Sequence, residues 1–148
     1  MMPSLLAQWT ALGVLSRWRI AGLVFVFLWF FLGGIAHFAL TAIEMRIVPP
    51  WIAWPRTAVF VSGVCELLGA AGLIWWRTRR AAGIGLFALT LAVTPANFYM
   101  LQHDQLFDIP YWVLMARLPL QLALLALITW CAIVRPAAPC TTSTSTGG

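Results

Sequence analysis

Between Arg19 and Glu44 the chain runs through 24 residues without a formal charge, "IAGLVFVFLWFFLGGIAHFALTAI". Three more apolar runs follow: 57–76, bracketed by Arg56 and Arg77; 81–102; and 110–134, interrupted only by Arg117. About 20 residues of helix cross a hydrocarbon core of about 30 Å, so each of the four spans 20–43, 57–76, 81–102 and 110–134 is long enough. Lipid offers nothing to hydrogen-bond a backbone, which makes such runs helices. The remaining composition agrees, because only 9% of residues are charged and mean hydropathy is +0.91. A soluble domain would be near a quarter charged. The fold class is therefore all-α: a polytopic membrane protein built as a four-helix bundle, with one domain over 1–135.

Arginine sets the orientation. Arg17 and Arg19 precede the first span, Arg77, Arg79 and Arg80 follow the second, and Arg135 follows the fourth, while the opposite loops hold only Arg46 and Arg56. The positive-inside rule then predicts both termini in the cytoplasm of a cell whose cytoplasmic membrane the chain crosses. Asp104 and Asp108 fall in an outer loop. Trp18, Trp75, Trp76 and Trp130 sit near inner ends and Trp51, Trp54 and Trp112 near outer ends, as an aromatic belt requires. The net charge of +5 does not point to nucleic acid, since no basic cluster lies on a soluble face. A cleaved signal peptide fits poorly, because the first run exceeds the usual 7–15 residue apolar region. Residues 4–16 have the pattern of a short interfacial helix, and 136–148 read as a disordered low-complexity tail. Cys65, Cys131 and Cys140 have no metal or redox spacing.

Glu66 interrupts the second run, and a carboxylate at mid-membrane costs about 2.5–3.5 kcal/mol on insertion scales. At about 1.5 Å per residue, Glu66 lies roughly 14 Å below the outer face, Arg117 about 10 Å, His37 and Asn97 about 9 Å, and Gln121 about 16 Å. Four helices thus place their most polar residues in the outer half. Arg117 and Gln121 are spaced i,i+4 and share a face, as do His37 and Glu44, seven apart. The simplest offset for Glu66 is a bidentate pair with Arg117. Pro95 and Pro119 each remove a helical hydrogen bond and free the carbonyls of Leu91 and Met115. Such kinks are tolerated at membrane depth beside a cavity. The loop "EMRIVPPWIAWPR" would lie across its mouth. His37, Glu66, Asn97, Arg117 and Gln121 form either a ligand-binding set or a structural polar cluster. A haem on His37 and His103 is excluded by their unequal depths, and no metal set stands out.

In order along the chain, "GGIAHF", "VPPW", "SGVCELLGAAGL", "RTRRAA", "TPANFYM" and "RLPLQ" give a sequence that resembles the DoxX family of small four-helix membrane proteins, over about residues 20–134. The residues carrying the likeness include His37, Pro50, Gly63, Glu66, Arg80, Pro95, Asn97, Arg117, Pro119 and Gln121. The resemblance implies an accessory subunit of a quinone-linked redox system, or an assembly protein for membrane partners. This chain lacks the paired cysteines of a dithiol relay. The leading expectation is an outward-facing polar pocket for a quinone or similar amphipathic ligand, its channel lined by Phe38, Phe98, Tyr99 and Trp112. A proton-coupled small-molecule exporter and a non-catalytic assembly or partner-binding protein remain open, as do catalysis itself, a membrane-protein partner and a homo-oligomer.

Overall fold

The computed structural model describes residues 17–107 and 109–134, and within them every regular element is helical. The expected interfacial helix, Asp108, Arg135 and the tail lie outside the described residues. In chain order the elements are α1 (Arg17–Ala39), α2 (Thr41–Ile47), α3 (Pro55–Ile74), α4 (Arg79–Ala92) and α5 (Thr94–Gln102). A 3₁₀ turn (Asp104–Leu106) leads to α6 (Tyr111–Ile128), which ends in a π turn (Thr129–Ile133). Four stretches are long and apolar enough to cross a membrane: Arg17–Ala39, Pro55–Ile74, Arg79–Gln102 and Tyr111–Ile133. They match the four expected runs with shifted ends.

The first shift has a local cause. The Thr41 hydroxyl donates to the carbonyls of His37 (2.8 Å) and Phe38 (3.1 Å), competing with the backbone ladder as threonine does. Leu40 leaves helical geometry at φ −118° and ψ 26°. The first span therefore stops at Ala39 rather than 43, and α2 turns across the bundle end. The loop expected to cap the mouth is thus partly helix, and its Trp51 meets the Tyr99 ring edge-on at 5.9 Å.

The two prolines differ. Pro95 falls in the first turn of α5, where a missing N–H costs nothing, and the third span breaks at Val93 into α4 and α5. Pro119 lies inside α6, which continues through it.

Small residues let the helices close. At Gly34 an added Cβ would meet Leu67 at 2.8 Å and the Gly63 carbonyl at 3.1 Å. Gly83 takes Ala132 in the same way, at 2.8 Å. Glycine at such crossings permits the van der Waals contact that drives helix association in lipid. The π turn, which no periodicity predicts, brings Cys131 and Ala132 into the core.

The buried core joins Leu23, Val26 and Phe30 of α1, Ala70 and Leu73 of α3, Leu86 of α4, and Leu124, Ile128 and Cys131 from the last span. Most sit toward the end that carries Arg17 and the α3–α4 turn, while Phe30 and Leu124 reach the wall of a cavity beyond it. The other end is where the polar residues gather. Large apolar side chains such as Leu32, Leu68 and Leu122 point outward, as lipid-facing surface should.

Candidate functional site: a polar cavity at one end of the bundle

A cavity of about 560 Å³ opens where the core ends. Its walls come from α1 (Trp29, Phe30), α2 (Glu44), α3 (Glu66), the α4–α5 joint (Leu89, Thr90, Val93, Asn97) and α6 (Trp112 to Leu124). Four of the five residues selected by depth, Glu66, Asn97, Arg117 and Gln121, line it. The fifth, His37, stands behind Glu66.

Glu66 owes its position to glycine. A Cβ on Gly33 would come within 2.7 Å of Glu66 Oε2, and one on Gly63 within 2.8 Å of His37 Cβ. The two bare backbones thus leave room for one carboxylate and one imidazole between α1 and α3. His37 Nε2 lies 3.4 Å from Glu66 Oε1, and His37 Nδ1 lies 3.9 Å from Glu44 Oε2. The imidazole therefore stands between two carboxylates, one per ring nitrogen. Glu66 Oε2 and His37 Nδ1 are buried and make no hydrogen bond.

The expected pair between Glu66 and Arg117 does not form. Among the described residues the ion-pair contact of Glu66 is with His37, and Arg117 Nη1 instead donates to the Met100 thioether at 3.5 Å. The helix crossing explains the difference: glycine at 33, 34 and 63 draws α3 against α1, so the nearest basic side chain is on α1 rather than on α6. Arg117 lines the same cavity, and among the described residues most of its five donors are uncommitted.

Gln121 and Asn97 serve the joint. Gln121 Nε2 donates to the Thr90 carbonyl at 2.7 Å and to the Thr94 hydroxyl, and Gln121 Oε1 accepts from Asn97 Nδ2 at 2.6 Å. Both amide protons and the oxygen of Gln121 are thereby used. Gln121 is a clamp on the break that Pro95 creates. Asn97 keeps its Oδ1 and one N–H for the cavity.

Some expected lining residues are elsewhere. Phe38 packs on Phe60 at 5.4 Å, Phe98 is exposed, and Tyr99 stacks with His103 at 4.4 Å; only Trp112 reaches the cavity. His103 Nδ1 lies 3.0 Å from the Tyr99 carbonyl at the end of α5, a local contact. Trp29 and Glu44 line the cavity without having been selected by depth. The sequence carries a signal for each: Trp29 falls near the middle of the run 20–43, away from both aromatic belts, and Glu44 shares a face with His37. Among the described residues no three His, Cys, Asp or Glu side chains converge as a metal site. Cys65 and Cys131 are free thiols.

Fold and site together define a small protein, all-helical over the described residues, with four membrane-length helices and a mainly apolar cavity that carries a few polar groups and is closed at one end by the core. The chain belongs to the family described as "Domain of unknown function (DUF8561)", whose model matches residues 26–135 and so takes in every cavity residue. No curated protein and no solved structure matches it.

Proposed function

We propose that the chain is a DoxX-like accessory subunit of a quinone-linked redox system in the cytoplasmic membrane, with both termini cytoplasmic and the cavity facing outward. The observation that carries this reading is that Glu66, with one oxygen that makes no hydrogen bond, and Arg117, with no carboxylate partner among the described residues, line the same cavity. The cavity volume of about 560 Å³ falls in the range of small-molecule sites, where apolar walls with few polar groups fix a ligand.

These residues suit a quinone head. Arg117 supplies N–H donors to a carbonyl oxygen, and the Glu66 carboxylate accepts from a quinol hydroxyl, with His37 behind it to hold the carboxylate in place. Trp29 and Trp112 offer ring faces, and Leu89, Leu120 and Leu124 offer a path for an apolar tail. A bound quinone supplies two-electron, two-proton redox chemistry. His37 and Glu44 then give Glu66 polar neighbours toward the α2 end of the cavity. A hydrogen bond to a charged group is worth about 1.5–3 kcal/mol, so Arg117→Ala should weaken short-chain quinone binding at least tenfold, read by tryptophan quenching in nanodiscs. Unchanged binding in Arg117→Ala and Glu66→Gln removes the quinone reading.

A second reading, a proton-coupled small-molecule exporter, is favoured by one specific observation: Glu66 is not locked to an arginine, and Oε2 has no partner. Proton-driven uptake into vesicles that Glu66→Gln abolishes would select it. A stoichiometric membrane partner with no ligand would instead favour an assembly protein whose polar cluster is structural.

A further inference from the structure

Every acid among the described residues, Glu44, Glu66 and Asp104, belongs to the cavity end or the loops beside it. The opposite end carries Arg17, Arg19, Arg77, Arg79 and Arg80 and no carboxylate among the described residues.

One of these arginines borders a second cavity. A groove of about 270 Å³ runs between α1 and α3, walled by Ile20, Leu23, Val24, Phe27, Leu73 and Ile74, and Arg79 ends it. Arg79 Nε donates to the Leu73 carbonyl at 3.0 Å, in the last turn of α3. That bond fixes the plane of the guanidinium and leaves both terminal amino groups with no hydrogen bond or carboxylate among the described residues. Arg79 is half-buried beside the core, whereas Arg77 is exposed and lies over the Trp76 ring at 5.4 Å.

We propose that this groove binds an anionic phospholipid, with an acyl chain along the α1–α3 wall and the phosphate on Arg79. The chemistry matches at both ends. An apolar slot open to the hydrocarbon takes a chain, and a guanidinium with two free amino groups takes a phosphate with two parallel hydrogen bonds. Basic pockets between membrane helices hold anionic head groups in this way. The proposal does not depend on the quinone reading, because the groove lies at the opposite end of the bundle from Glu66.

The test uses the full chain in nanodiscs of mixed phosphatidylglycerol and phosphatidylcholine, followed by detergent extraction and mass spectrometry of the lipid retained. Wild type should keep phosphatidylglycerol well above its share of the bilayer. Arg79→Gln should lower that preference at least tenfold, the loss of a charge-assisted hydrogen-bonded contact to the phosphate, while Arg77→Gln, which removes only diffuse attraction, leaves most of it. Val24→Trp, which fills the groove without changing charge, should remove the retained lipid, and it decides alone if Arg79→Gln does not fold. Retention in the bilayer's own ratio overturns the proposal. So does an equal loss from Arg77→Gln and Arg79→Gln, which would mean diffuse attraction to a charged surface.

Discussion

Gly33, Gly34 and Gly63 decide where Glu66 can go. Each stands where a Cβ would touch the partner helix or the two side chains held between α1 and α3. Gly63→Ala must therefore push α1 from α3 or displace His37, and overpacking of that kind costs about 1–3 kcal/mol. Gly85 is the contrast, since a Cβ there would have nothing within 4 Å. Gly85→Ala should be neutral or add up to about 1 kcal/mol through helix propensity. Thermal melting in one detergent should separate the two variants in opposite directions. Equal destabilisation would mean that the α1–α3 crossing is not this tight. Depth along the sequence picks out Glu66 and His37 but gives Glu66 the wrong partner, because depth fixes a residue's height and not its bearing around the helix. Bearing here is set by which helices carry the glycines.

The broken third span is the clearest device at the scale of an element. Pro95 lacks an N–H and sits in the first turn of α5, and Gln121 of α6 reaches across to the Thr90 carbonyl that the break leaves under-satisfied. "TPANFYM" announced a kink, but depth put Gln121 at roughly 16 Å and Asn97 at about 9 Å, so the break was legible and the bond that bridges it was not. Nor was it legible that Gln121 would have no group left for a ligand, since that depends on three simultaneous bonds. Gln121→Leu should cost about 1–2 kcal/mol, near the upper range for polar contacts between membrane helices. The Asn97→Ala, Gln121→Ala double-mutant cycle should give a coupling above about 0.5 kcal/mol. Additive effects in that cycle would contradict the clamp. Pro119 shows the limit of the same reasoning, as proline in a packed membrane helix need not interrupt it. The π turn at Thr129–Ile133 left no mark in the apolar pattern either, because an all-apolar helix has no phase to lose.

For the whole molecule, four apolar runs, two of them broken by a single charge at Glu66 and Arg117, were enough to predict four helices, and their order along the chain was enough to put the polar residues at one end. The division into an apolar core at one end and a cavity at the other follows from that same asymmetry. Orientation in the membrane rests on arginine counting: Asp104→Cys in a background free of other cysteines should react with an impermeant maleimide in intact cells. Labelling only after lysis would reverse the topology and turn the cavity inward. The central claim, that Glu66 belongs to a ligand site, is tested most directly by native mass spectrometry of the protein released from native-membrane nanodiscs, wild type beside Glu66→Gln. The account predicts a retained quinone-sized mass that the variant loses. A spectrum with no such mass in either form, or with the same mass in both, would contradict it and leave His37 and Glu66 as a structural contact between α1 and α3.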